Sequence, residues 1–318
     1  MDSDKPILLS GIKPTGTPHI GNYFGAIKQW KEFQTVGSHQ CYFMIADYHA
    51  LNFIQKAGDM RDLTRELVLT YLASGINPEK VVLFKQSDVP AHTELAWIFD
   101  TITTIPYLER AHAYKDAAAK NREISVGTFN YPMLMAADIL LYDTAKVPVG
   151  QDQKQHIEYA RDTAEKFNRI FGDVFTLPEE FIVEDTGIVP GLDGRKMSKS
   201  YDNTIPLFST RHDIEELVMK IVTDSGSERP ENVYAIHKLV KSERELEMLY
   251  EEHAGKYKAL KEALIEDLDA FIKPLREKYH ELASDPRTVD DALEKGGQLA
   301  RERANAKIEE VRRAVGVS

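Results

Sequence analysis

The chain has 318 residues, 42% of them hydrophobic and 29% charged, and a formal net charge of -11. That is enough chain for two domains, or for one large domain with an appendage, and too acidic for indiscriminate nucleic-acid binding, although an RNA that meets a local basic patch is still compatible. No stretch approaches the roughly 18 apolar residues of a membrane helix, Met1-Asp2-Ser3-Asp4 lacks the regions of a signal peptide, and one cysteine excludes a disulfide framework or a multi-cysteine metal site. Residues 6–10, 40–47 and 80–85 read as short, almost continuously apolar strands, with Cys41 as a buried core residue in the second. Helical patterns lie at 23–33 and at 60–72, the latter carrying Leu63, Leu67, Leu69 and Leu72. Residues 131–142 form an apolar segment broken by Asp138, 146–150 a further strand, and 152–167 a helix leaving that strand's carboxyl end. Strands alternating with helices imply βαβ units and a parallel sheet covered on both faces. After about Pro206 the strand signals stop. Helical periodicity then runs through 214–222, 243–250, 260–282 and 289–315, with Pro230 and Asp285-Pro286 as turns and charges such as Glu262 and Glu266 set to pair with neighbouring lysines.

Three stretches carry chemistry. "KPTGTPHIGNYFG" (13–25) follows the first strand, and in an open parallel sheet ligands bind where loops leave the carboxyl ends of strands. Its glycines let the backbone approach a ligand, and the helix starting near Gly21 offers unpaired N–H groups suited to a phosphate. His19 and Asn22 can add hydrogen bonds to phosphate oxygens, although a histidine beside such a turn also serves as a capping or packing residue. "GRKMSKS" (194–200) places two lysines on a glycine-led loop, a flexible double cation suited to a pyrophosphate leaving group; taken alone it is also an ordinary surface loop. In "NYPMLMAADILLY" (130–142), Asp138 is a carboxylate in an apolar helix, either paired internally or reading one N–H of an otherwise apolar ligand.

Taken together these residues resemble a known family. His19-Ile20-Gly21-Asn22 is similar to the first signature of class I aminoacyl-tRNA synthetases, and Lys196-Met197-Ser198-Lys199-Ser200 matches their second signature letter for letter. "LMAADILLY", "VPVGQDQKQHIE" and "LFKQSDVPAHTELAW" narrow the resemblance to the tryptophanyl-tRNA synthetases, from Leu9 to the last helix. The resemblance implies a Rossmann-like, doubly wound parallel-sheet catalytic domain at 1–203, followed by an all-helical anticodon-binding region at 204–318 whose last helix packs back. It implies a cytoplasmic homodimer that joins L-tryptophan to tRNA(Trp) through tryptophanyl-adenylate, with ATP as substrate and Mg²⁺ sharing the phosphate charge.

The same resemblance assigns the residues. His19, Asn22, Lys196 and Lys199 would be catalytic. ATP would meet Lys13, Pro14, Thr15, Gly21 and Asn22 on the first loop, Gly150, Gln151 and Asp152 on the ribose side, Ile188 and Met197 at the adenine, and Ser198 and Ser200 beside the two lysines. Tryptophan would lie among Leu9, His49, Met135, Val147 and Val149, with Tyr131 and Gln153 at its amino group and Asp138 at its indole N–H. No resident metal site is implied. Arg301, Arg303, Lys307, Arg312 and Arg313 are candidate phosphate contacts, or a solvated helix face.

The chain departs from the family where a lysine is usual: Lys115 is followed by Ala117, so Lys115 or Lys120 would replace that cation. Lys13 and Gln151 stand where relatives often have glutamine and glutamate, and both make the site more positive. One cysteine excludes the iron–sulfur cluster of some relatives. The rival readings are a tyrosyl-tRNA synthetase, a nucleotidyltransferase that uses no tRNA, and a sensing paralogue without chemistry.

Overall fold

A computed structural model describes residues 5–119, 123–149, 154–182, 189–223 and 229–318. Five strands form one sheet: β1 (Ile7–Ile12), β2 (Gln40–Ile45), β3 (Val82–Lys85), β4 (Lys146–Val149) and β5 (Glu179–Ile182). All neighbours run parallel in the order β3-β2-β1-β4-β5. β1 pairs with β2 from Ile7 opposite Gln40 to Ile12 opposite Ile45, and on its other side meets β4 at Leu8 opposite Lys146. The order therefore reverses at β1, which opens a crevice between β1 and β4 at their carboxyl ends.

The near-continuous apolar strands are buried on both faces. Leu8, Phe43, Ile45 and Leu83 enter one core, while Ile7, Leu9, Tyr42, Met44 and Phe84 enter the other. After β1 the chain turns through α1 (Ile20–Asn22), one π-helical turn at Tyr23–Ile27, and α2 (Lys28–Val36), so the helix expected at 23–33 is real but not uniform. α3 (Asp47–Ala50) and α4 (Ala57–Ala73) follow β2. Between β3 and β4 come α5 (Ala91–Ile102), α6 (Ile105–Leu108), α7 (His112–Ala119) and α8 (Val126–Leu140). α8 starts earlier than its apolar run because Ser125 Oγ caps it, accepting from Thr128 N–H at 3.1 Å. α9 (Lys154–Phe171) leads to β5.

Beyond β5 the described elements are helical: α10 (Arg211–Met219), α11 (Glu231–His237), α12 (Glu243–Glu252), α13 (Tyr257–Ala283) and α14 (Thr288–Val315). Glu262 does meet Lys258 at 3.7 Å, but Glu266 pairs with Arg211 of α10 instead of a lysine on its own helix. These helices share the sheet's cores: Leu264, Leu268 and Ile272 of α13 join one, and Ala300, Ala304 and Ile308 of α14 join the other. α14 crosses the edge strand β3 so closely that a Cβ on Gly296 would lie 1.9 Å from the Leu83 carbonyl oxygen. The crossing covers an edge that would otherwise be open to foreign strands.

Several charges of α14 are committed within the fold. Arg303 and Lys307 bind Asp143 at 2.9 and 2.8 Å, and Arg312 binds Glu94 at 2.6 Å, so these cations fasten the helix to the sheet-bearing half. Of the five candidate phosphate contacts, Arg301 and Arg313 are the exposed residues for which no such ion pair is described.

Candidate active site

The crevice holds a cavity of about 210 Å³. β1 and the turn after it contribute Leu9, Ser10, Gly11 and Lys13; the end of β2 and α3 contribute Met44, Ala46 and His49. Tyr131, Met135, Asp138 and Ile139 line it from α8, Val147 and Pro148 from β4, and His156 and Ile157 from α9. Seven residues named from the sequence thus meet in one space: Leu9, Lys13, His49, Tyr131, Met135, Asp138 and Val147. His156 was not named; it had only its place in a quoted motif, and its Nε2 lies 3.5 Å from the Tyr131 hydroxyl.

Asp138 is 3% exposed, and of the two alternatives left open for it the structure describes the first, internal pairing. Its carboxylate is paired internally: Oδ2 with His49 Nε2 at 2.8 Å, Oδ1 with Gln86 Nε2 at 2.7 Å and with His92 Nδ1 at 2.6 Å. His92 Nε2 in turn meets the Tyr142 hydroxyl at 2.8 Å. Burial pushes the Asp138 carboxyl up, but His49 and His92 outweigh it and hold it below its usual value. A carboxylate has about four acceptor positions. Oδ1 is filled by two donors and Oδ2 by one, which leaves one position on the oxygen beside His49 at the cavity wall. Gln86 and His92, fully buried at the end of β3 and on α5, were missed because single polar residues beside apolar runs have no period to mark them.

On the other side of Lys13 lies the histidine turn. Ile20 N–H donates to the Ile205 carbonyl and Leu207 N–H to that of Pro18, both at 3.0 Å, which ties the turn to the chain just after the lysine loop. His19 is buried, and burial first, then Lys199, push its pKa down to about 4, so its ring is neutral at neutral pH. A Cβ on Gly21 would sit 2.8 Å from His19 Nδ1, so glycine is what lets the ring fold against the turn. Asn22 Oδ1 accepts from His19 N–H at 3.0 Å, closing the helix start, which leaves the amide NH₂, the group expected to donate to a ligand, uncommitted by that bond.

The lysine loop docks on this turn. Lys199 Nζ donates to the Gly16 carbonyl, while Met197 is buried and its N–H reaches the Val189 carbonyl at 2.8 Å. Burial lowers the Lys199 pKa, with Glu66 of α4 opposing. Lys196 is exposed. Lys13 stands at the cavity mouth with Nζ 4.8 Å above the Phe53 ring, and partial desolvation lowers its pKa. Lys115 is exposed on α7 and does not line the cavity. Gly150, Gln151, Asp152, Gln153, Ile188 and Lys120 lie outside the described residues, and Val149 is described only as part of β4. Among the described residues no group of three His, Cys, Asp or Glu side chains is placed to hold a metal ion.

A cavity at the topological switch point of an open parallel sheet is where such folds bind their ligands, and here the histidine turn and the lysine loop meet beside it. The family model for class I tRNA synthetases (W and Y) matches residues 1–281. A tryptophan–tRNA ligase of Fusobacterium nucleatum is 45% identical, with 97% of each chain covered, and one of Campylobacter jejuni is 43% identical over 98% of this chain and 99% of the relative. The crystal structure of tryptophanyl-tRNA synthetase from Campylobacter jejuni, complexed with ADP and tryptophan, superposes with a TM-score of 0.90 at 41% identity, covering 98% of this chain and 99% of that one. That of Mycoplasma pneumoniae gives a TM-score of 0.85 at 28% identity, with 98% of each chain covered. The chain belongs to the class I tRNA synthetases that serve tryptophan and tyrosine. Within that family, its full-length likeness is to the tryptophan–tRNA ligases.

Proposed function

We propose that this chain activates L-tryptophan with ATP and transfers it to tRNA(Trp). The observation that carries the amino-acid choice is the acceptor position left on Asp138 in a cavity whose other walls are largely apolar (Leu9, Met44, Ala46, Met135, Ile139, Val147, Pro148 and Ile157), which fits one indole N–H. Tryptophan then lies with Tyr131 and Gln153 at its amino group and its carboxylate towards Lys13. A carboxylate oxygen attacks the α-phosphorus in line, the bond to pyrophosphate breaks, and tryptophanyl-adenylate forms. A hydroxyl of the terminal ribose of the tRNA then attacks the acyl carbon and AMP leaves.

Such a step is accelerated by positioning and by meeting developing charge, with no side-chain nucleophile. Gly21, Asn22 and neutral His19 hold the triphosphate, with Pro14 and Thr15 lining the same loop. Gly150, Gln151 and Asp152 hold the ribose, Ile188 and Met197 flank the adenine, and Lys196 and Lys199, with Ser198 and Ser200 beside them, follow the leaving pyrophosphate. Lys196 and Lys199 would share the phosphate charge with Mg²⁺ brought by the nucleotide, which would supply charge neutralisation there.

Residues 1–203 serve the chemistry and 204–318 the tRNA. We place the protein in the cytoplasm; no described helix is long and apolar enough to cross a membrane. Trp97, Ile105 and Val126 are exposed apolar residues on α5, α6 and α8, and support a homodimer. ATP–pyrophosphate exchange against all twenty amino acids tests the whole reading: tryptophan alone should drive it. Exchange driven by tyrosine, or none at all, would overturn it.

A further inference from the structure

The lysine loop is held in shape by a residue outside its signature. Asn203 is 2% exposed although it sits in a loop, and its amide is fully used. Oδ1 accepts from Ser198 N–H at 2.8 Å, while Nδ2 donates to Asp193 Oδ1 at 2.7 Å and to the Lys196 carbonyl at 3.2 Å. Its own carbonyl accepts from Leu192 N–H at 3.0 Å. Gly191 makes the space, since a Cβ there would fall 2.2 Å from Asn203 Nδ2. Asp193 is itself held by Arg195, Nε to Oδ2 at 2.7 Å, and the Arg195 guanidinium lies 4.3 Å over the Tyr201 ring.

The effect is local and specific. The backbone is fixed on both sides of buried Met197, at the Lys196 carbonyl and at the Ser198 N–H. The two lysine side chains leave the loop immediately before and after this clamp. Charge stabilisation works when donors need no rearrangement as the reaction proceeds. A clamp on the backbone supplies that condition for two long, flexible side chains.

We propose that Asn203 is a positioning residue for adenylate formation, setting the backbone from which Lys196 and Lys199 reach the departing pyrophosphate. The assignment rests on the function proposed above. It is tested with Asn203→Ala and Asn203→Asp in the full chain, by two readouts. In the ligand-free protein, amide hydrogen exchange at Ser198 should speed up in Asn203→Ala, which removes its acceptor; an unchanged rate there would overturn the clamp whatever the enzyme's substrate. In tryptophan-dependent pyrophosphate exchange, kcat should fall about 10²-fold, the cost of misplacing a reacting group by about 1 Å, with the tryptophan KM unchanged. Asn203→Asp keeps the acceptor for Ser198 but turns a carboxylate towards Asp193. Its rate relative to wild type should therefore recover as pH falls and the new carboxyl gains a proton to donate. A purely structural role would lower kcat, raise the tryptophan KM and lower the unfolding midpoint together, with no recovery at low pH. That result, or wild-type rates in both variants, would overturn the proposal. A wild-type chain that fails to exchange with tryptophan would count against the function, while Ser198 exchange would still decide the clamp.

Discussion

Asp138→Asn tests the account of substrate choice most directly. The variant keeps the side chain's shape, and the two donors on Oδ1, Gln86 Nε2 and His92 Nδ1, can still be accepted by the amide oxygen. Oδ2 becomes an NH₂ group, which His49 can meet by changing tautomer but an indole N–H cannot. A hydrogen bond to a charged group contributes about 1.5–3 kcal/mol, so kcat/KM for tryptophan should fall roughly 10- to 150-fold. Phenylalanine has no such donor, so its kcat/KM should hardly change and the ratio between the two should shrink by the same factor. Asp138→Ala is the poorer experiment. It strands three buried donors, and breaking a buried charged network costs about 3–5 kcal/mol, enough to confuse lost recognition with lost folding. The assay is pyrophosphate exchange with each amino acid at several concentrations. If tryptophan keeps its advantage over phenylalanine in Asp138→Asn, Asp138 is only a structural carboxylate and the indole is recognised elsewhere.

Three further outcomes are expected. Lys199→Ala should slow single-turnover adenylate formation by about 10²–10³-fold, the usual cost of one donor aimed at developing charge, with tryptophan affinity unchanged; an unaltered rate would remove the loop from the mechanism. His19 has its folded pKa lowered from 6.5 to about 4, so between these values the unfolded chain binds the extra proton and folding stability must drop as pH falls. The loss is on the order of 3 kcal/mol, and urea titrations at pH 7 and pH 4.5 should show it in the wild type and not in His19→Gln. Gly296→Ala should destabilise by about 1–3 kcal/mol or more, because its Cβ meets the Leu83 backbone. Gly297→Ala, whose Cβ would sit 3.3 Å from an Asp88 side-chain oxygen, should be nearly neutral, and equal losses in the two thermal melts would refute the crossing.

What the sequence showed, and what it hid, follows from how each feature is encoded. β1 to β4 were legible because strands buried on both faces are written as apolar runs. β5 was not, because Glu179 and Glu180 break its run, as charges commonly do on an edge strand. α11 is only seven residues long, too short to establish a helical period. The walls of the cavity were named through the motifs that contain them. Gln86, His92 and Asn203 were not, since each acts through partners distant in sequence or through a loop's own backbone. The ion pairs of Arg303, Lys307 and Arg312 were hidden for a related reason: a cation on a helix reads the same whether it faces solvent or Glu94.

The crossing of α14 over β3 also sets a timetable. Leu83 and Gly296 lie about 200 residues apart, and at about 5–20 residues per second the ribosome needs roughly 10–40 s to make the stretch between them. For that interval β3 has left the exit tunnel with its outer edge bare, although β1 and β2 already exist to pair with its other side. The amino-acid cavity depends on the same helix through α5, where Arg312 grips Glu94 two residues beyond His92. A nascent chain that stops before residue 288 should therefore leave a sticky edge for chaperones to guard and an unfinished cavity.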